Sequence, residues 1–245
     1  MSDLGAGTGA GRIAVVAGGG SGIGRGCALR LGGAGWCVVL VGRKAEWLEE
    51  TAALVADAGG SAQCFPGDVR DWDRIGELGA LVAESGLDLL INSAGGQFAR
   101  PAAELSRNGW KAVVETNLDG AFFLARQLYP ALAKRRGAIV NLVANLWQRG
   151  AATMAHSGTA RAGVVNLTQT LAIDWAQDGI RVNAVSPGFI DTAGLLADYK
   201  RDMESKVPLG RIGTVEETVD AILYMAGAAY VTGEVLTIDG GLQLV

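Results

Sequence analysis

The stretch that constrains this chain most is Ala17-Gly18-Gly19-Gly20-Ser21-Gly22-Ile23-Gly24. It follows Ile13-Ala14-Val15-Val16, an apolar run that reads as a buried strand. It precedes Cys27-Ala28-Leu29-Arg30-Leu31, which reads as the first turns of a helix. Strand, glycine turn and helix together make such a loop a phosphate cradle. The glycines permit a tight turn and let a pyrophosphate approach the main chain. The helix start then offers free N–H groups and a positive dipole end. The loop therefore predicts dinucleotide binding, with Gly18, Gly20, Ser21, Gly22, Ile23 and Gly24 around the phosphates.

The rest of the chain extends that unit. Short apolar runs alternate with helical stretches, the signature of βαβ units. Strands are predicted at Arg12–Val16, Cys37–Val41, Ser61–Pro66, Leu87–Asn92, Ala138–Val143, Arg181–Val185 and Val235–Asp239. Helices are predicted at Gly22–Gly33, Glu46–Ala58, Asp71–Glu84 (Asp71 as N-cap), Asn108–Arg135, Thr153–Gln177, Leu195–Lys206 and Val215–Ala226. The helix over 108–135 carries an apolar stripe at Val113, Val114, Leu118, Phe122 and Ala125. Seven strands separated by helices give an α/β, doubly wound, parallel sheet in one domain over 12–245, a single-domain Rossmann fold. Residues 1–11 are expected to be a loose Gly-rich tail. A length of 245 residues suits one such domain, and 49% hydrophobic content supplies its core.

Composition also narrows the partners. Net charge is −4 with no basic stripe, so nucleic acid is not an expected partner. No apolar run reaches the length of a membrane span, and Met1–Gly11 lacks the pattern of a signal peptide. Cys27, Cys37 and Cys64, with a single His in the chain, offer no metal-ligand set and read as small buried hydrophobes in a reducing, cytoplasmic compartment.

The end of the second strand addresses the cofactor. A preference for NAD usually places Asp or Glu there, on the ribose hydroxyls. Here Gly42 is followed by Arg43 and Lys44. Cations are not favoured at a helix N-terminus, so a bound anion accounts for the pair better than two solvated charges do. The 2′-phosphate of NADPH is that anion.

These residues resemble the short-chain dehydrogenase/reductase family over residues 12 to 242. The matching pieces are Gly18–Gly24, Gly67-Asp68-Val69, Asn92-Ser93-Ala94-Gly95, Asn117, Ile139-Val140-Asn141, Arg161-Ala162-Gly163-Val164, Arg181-Val182-Asn183, Ser186-Pro187-Gly188, Thr232-Gly233 and Asp239-Gly240-Gly241. The resemblance implies that Asp68 and Val69 contact the adenine and that Asn92, Ala94 and Gly95 line the cofactor. It implies that Pro187, Gly188 and Ile190 face the nicotinamide, with Thr192 on its carboxamide or on a phosphate. It also implies a homotetramer or homodimer, and a mobile substrate lid at Leu195–Lys206.

The resemblance breaks at the catalytic centre. The family carries Ser, then Tyr thirteen residues on, then Lys four residues later. Those positions hold Ala144 (or Asn145, with a small gap), Ser157 and Arg161, and only the helix asparagine, Asn117, is kept. Ala17 likewise replaces the usual Thr. An aliphatic hydroxyl is a far weaker acid than a phenol, so Ser157 cannot take over the proton transfer of carbonyl reduction. Arg161 can still hold the ribose hydroxyls.

The run His156–Val164 is similar to that of peroxisomal trans-2-enoyl-CoA reductases; 2,4-dienoyl-CoA reductases also place Ser at the Tyr position but keep the Lys and use a displaced Tyr, and no Tyr lies between Ala138 and Arg161 here. Enoyl reduction tolerates the gap: charge develops on a thioester oxygen, which needs hydrogen-bond donors rather than a full proton. Ser157, Asn117 and Asn145 are candidate donors and His156 a candidate proton source. Ser157 reads either as a substrate contact or as a small residue that opens room for an acyl chain. His156 reads alternatively as a helix-start residue, and Trp147 as either a substrate border or packing. The expected substrate is an acyl-CoA or an acyl carrier protein thioester. Two rival readings remain: an unusual ketone or imine reductase, and a redox-inactive NADP(H)-binding protein.

Overall fold

A computed structural model describes residues 11–192 and 197–245. The expected tail lies almost wholly outside them, as does the start of the expected lid.

Seven parallel strands form one sheet in the order β3-β2-β1-β4-β5-β6-β7. They are β1 (Ile13–Ala17), β2 (Cys37–Gly42), β3 (Ser61–Pro66), β4 (Leu89–Asn92), β5 (Ala138–Leu142), β6 (Arg181–Pro187) and β7 (Val235–Ile238). The central strands are apolar at nearly every position because both faces are covered. Ala14, Val16, Val38, Leu40, Leu89 and Ile91 pack against α1 (Gly22–Gly33), α2 (Ala45–Asp57) and α8 (Val215–Gly227). The intervening Val15, Val39, Leu90, Ile139 and Val182 pack against α3 (Trp72–Ala83), α5 (Gly120–Arg135) and α6 (Ala155–Asp174). Asp71 caps α3 by accepting the Arg74 N–H. Of the expected lid, Ala197–Glu204 is helical (α7). No helix among the described residues is long and apolar enough to cross a membrane.

The expected helix over 108–135 is interrupted. It runs as α4 (Arg107–Val114), a π-helical turn (Glu115–Asp119) and α5. Phe122, placed on the apolar stripe, is 41% exposed, whereas Ala121, Leu124, Ala125 and Leu128 are buried. A π turn adds a residue to one turn, which sequence periodicity does not register, and such turns recur at functional sites. This one carries Asn117.

The order of strand addition reverses between β1 and β4, which pair side by side in parallel. In such sheets ligands bind in the crevice beyond the strand C-termini at that point.

Candidate active site

Two clefts, of about 220 and 690 Å³, share Gly18, Ser21, Trp47, Ala94 and Gly95 and open beyond that crevice. The glycine loop forms their common floor. Gly18 and Gly22 adopt φ of +78° and +51°, the left-handed region that disfavours side chains. A Cβ on Gly24 would come within 2.2 Å of the Gly18 carbonyl oxygen. The loop is held from both sides: Gly18 N–H donates to Val41 O at 2.9 Å, and the Arg25 guanidinium donates to Gly20 O at 2.7 Å.

The smaller cleft gathers the residues expected at the adenosine end, with Gly20, Arg43, Lys44, Asp68 and Val69 on its walls. Lys44 Nζ lies 3.7 Å from the Trp47 ring centroid, a cation–π contact. Asp68 is chelated by Arg70. That hydrogen bond, outweighing burial and aided by the charges of Arg70 and Arg43, holds its carboxyl below the usual range. Arg43 has no ion-pair partner among the described residues and keeps its charge open to a ligand. The larger cleft takes Gly22, Ile23, Gly24 and Thr192, with the Thr192 methyl 3.7 Å from where a Cβ on Gly22 would stand. A glycine cradle at a helix N-terminus, with an unpaired guanidinium at one end and a buried one at the other, fits a nicotinamide dinucleotide.

Four residues expected at the cofactor do not line the two clefts. Asn92 is 5% exposed and faces Asn141, which donates to Thr168 Oγ1 at 2.9 Å; this buried polar chain stands behind the cleft. Gly188 abuts Asp239, where a Cβ would come within 2.7 Å. Ile190 pairs with Gly213 and turns into a separate cavity of about 350 Å³. Pro187 ends β6, paired with Ile238, and lines neither cleft.

The inner end is assembled from three segments: the loop after β4, the π turn and the start of α6. Asn117, 2% exposed, clamps Gly96 in both directions. Its Oδ1 accepts the Gly96 N–H at 2.9 Å and its Nδ2 donates to Gly96 O at 3.0 Å. Arg161 donates to Leu142 O at 2.6 Å and crowds Gly95, and its Nε has no partner among the described residues. Burial lowers its pKa to about 10, so it remains charged at neutral pH.

Ser157 lies one turn before Arg161 on the same helix face. It is fully buried and its hydroxyl pairs with Gln97 Oε1 at 2.7 Å. Ser157 is therefore not exposed to the cleft as the expected donor, whereas its partner Gln97 is exposed. His156 is also fully buried. Its Nδ1 accepts the Ser157 N–H at 2.9 Å, and its ring meets Phe98 edge-on at 4.6 Å. This corrects its expected role as a proton source: a sealed imidazole supports the loop by packing. Asn145 is half-buried on the loop after β5, with no side-chain hydrogen bond among the described residues. Trp147 packs on the Val143–Val164 cluster, the structural one of its two readings. Thr153, whose carbonyl accepts the Arg100 N–H at 2.9 Å, has φ of +66°, an uncommon conformation for a β-branched residue.

Sequence reasoning missed Trp47, Thr116 and Gln97. Trp47 and Thr116 line the cleft from helical positions without a distinctive pattern. Gln97 had one signal, its place just beyond Gly95-Gly96 on the loop that the family uses.

Comparison with known proteins fits this geometry. Residues 17–243 match the family described as enoyl-(acyl carrier protein) reductase. The chain belongs to the short-chain dehydrogenase/reductase family. That family binds a nicotinamide cofactor. The chain is 40% identical to a probable 2,4-dienoyl-CoA reductase of Bacillus subtilis, described as (2E)-enoyl-CoA-producing, over 95% of this chain and 97% of the relative. It is also 40% identical to a cis-4-hydroxycyclohexanecarboxylate dehydrogenase of Sinomonas cyclohexanicum, over 96% and 97%. Among solved structures, a citronellol catabolism dehydrogenase of Pseudomonas aeruginosa superposes with a TM-score of 0.85 at 41% identity, covering 96% of this chain and 95% of that one.

Proposed function

We propose that this protein is an NADPH-dependent reductase of an activated C=C bond in an enoyl or dienoyl thioester. The observation that carries the reading is the state of Ser157. At the position where the family places its phenolic acid stands a buried aliphatic hydroxyl already paired with Gln97, and no Tyr lies between Ala138 and Arg161. The kinship to a 2,4-dienoyl-CoA reductase supports the same reading.

When bound, the reduced dinucleotide supplies a hydride to the substrate. The chain's own residues do the rest. The glycine loop and the α1 N-terminus hold the pyrophosphate, and Arg43 with Lys44 holds the 2′-phosphate. Arg161 holds the nicotinamide ribose and sets a fixed positive charge beside Gly95. Negative charge developing on the thioester oxygen is stabilised by that charge and by nearby donors, and water protonates the α-carbon. Asn117 keeps the Gly95–Gly96 wall in place. We further propose that the active form is a homotetramer or homodimer.

A second reading, oxidation of an alcohol or reduction of a ketone, has support in the cyclohexanecarboxylate dehydrogenase relative. Incubation with crotonyl-CoA or 2,4-hexadienoyl-CoA, following loss of NADPH absorbance, tests the first reading. Turnover is expected with NADPH and far less with NADH. Tight NADPH binding without turnover of any thioester would contradict it.

A further inference from the structure

We infer that Gln97 is a catalytic residue whose carboxamide nitrogen donates to the carbonyl oxygen of the substrate, and that Ser157 is the positioning residue that turns it there. The assignment rests on the thioester reading above.

The argument starts from burial. Ser157 is 0% exposed, so no substrate reaches its hydroxyl. A buried hydroxyl needs an acceptor for its proton, and Gln97 Oε1 at 2.7 Å is the acceptor. That bond sets the orientation of the amide. With its oxygen engaged by Ser157, the carboxamide presents its NH₂ group elsewhere, and that nitrogen has no partner among the described residues.

Position follows from the two elements involved. Along α6, Arg161 and Ser157 are one turn apart on one face. The loop after β4 runs beside them, with Gly95 against Arg161 and Gln97 against Ser157. Since Gly95 and Leu142 line the larger cleft, Gln97 stands one helical turn beyond the charge at its inner end.

The loop is anchored at four points. Asn117 clamps Gly96, Ser157 holds Gln97, His156 backs Phe98, and the Thr153 carbonyl takes the Arg100 N–H. So much fixing of an otherwise exposed loop presents one amide in a set direction, which is how a preorganised oxyanion donor works. The chemistry balances without a protein acid. The C=C bond gains one hydride at carbon and one proton from water, and the Gln97 amide keeps both its protons throughout.

The test uses the full chain with 2,4-hexadienoyl-CoA labelled with carbon-13 at the thioester carbonyl, bound with NADP⁺ as a dead-end complex. Infrared difference spectra report the carbonyl stretch, and kcat and KM are measured with NADPH. The wild type is expected to shift the stretch to lower frequency. Gln97→Met, on an exposed loop, is expected to lose that shift and about 100-fold in kcat with KM nearly unchanged, the usual loss for one oxyanion donor. Gln97→Glu keeps the acceptor for Ser157 but not the donors, and is expected to fail likewise. Ser157→Ala is expected to keep a weaker shift and lose roughly tenfold in kcat. A Gln97→Met protein with wild-type kcat and carbonyl stretch would overturn the assignment alone. A wild type that reduces no thioester would overturn the thioester reading, and the assignment with it.

Discussion

The outer end of the cleft and its inner end are built from different material. At the outer end, the phosphate cradle is main chain: Gly18, Gly20, Gly22 and Gly24, held by bonds from Arg25 and to Val41. At the inner end, it is side chain: Asn117, Gln97, Ser157 and Arg161, drawn from three segments far apart in sequence. Main-chain recognition depends on what is absent: a Cβ added at Gly18 or Gly24 would come within 2.9 or 2.2 Å of a neighbour. Side-chain recognition depends on what is present and on how it is braced. One end should therefore fail by steric intrusion, the other by loosening, and the readouts should separate.

The largest expected effect is at the outer end. Gly24→Ala puts a methyl against the Gly18 carbonyl, 2.2 Å away, where only backbone movement makes room. Overpacking of this kind costs about 1–3 kcal/mol, and the dinucleotide Kd measured by calorimetry is expected to rise by about 100-fold. An unchanged Kd would break the comparison at its strongest point.

Arg43→Ala comes next. A hydrogen bond to a charged group contributes about 1.5–3 kcal/mol. The Kd for NADPH is expected to rise by about ten- to 100-fold, with the Kd for NADH unchanged. Equal loss for both cofactors would remove the 2′-phosphate from the account.

Asn117→Ala sharpens the contrast at the inner end. It deletes both hydrogen bonds to Gly96 and is expected to cost about 1–3 kcal/mol of stability. It should lower kcat while leaving dinucleotide affinity near the wild-type value. A parallel fall in both would mean that the two ends are one unit.

The smallest effect lies outside the cleft and serves as a control. Glu217 closes a capping box on α8 with Thr214 and pairs with Arg211. The Arg211 hydrogen bond, then the Thr214 N–H, lower its carboxyl from 4.5 to about 2. A lowered carboxyl pKa adds stability above the unfolded value, lost as pH falls through the folded one. Glu217→Gln is thus expected to lower Tm slightly at neutral pH. The gap should narrow from pH 4.5 downward and close near pH 2, with cofactor binding unaffected.

The same division explains what the sequence made legible. Ser61–Pro66 and Gly22–Gly33 were readable to the residue, because apolar runs and glycine breaks are local. The glycine loop was readable for the same reason, and so was the Asp71 cap. The interruption of the helix at Glu115–Asp119 was not, since the partner of its Asn117, Gly96, lies on a separate loop that helical periodicity does not report. Ser157 was noticed as a substitution, but its partner was not, because Gln97 lies 60 residues away and nothing local ties the two. His156 drew attention as the single His, and only its burial against Phe98 shows what it does.

The central claim is that the inner end suits C=C reduction rather than carbonyl reduction. Two substrates on one carrier test it most directly: 2,4-hexadienoyl-CoA and acetoacetyl-CoA, each with NADPH, compared by kcat/KM. On the proposed reading, in which no phenolic acid serves the site, the ketone is expected to be slower by about 100-fold or more, the usual contribution of a general acid. Acetoacetyl-CoA reduced as fast as the diene, or faster, would contradict the account.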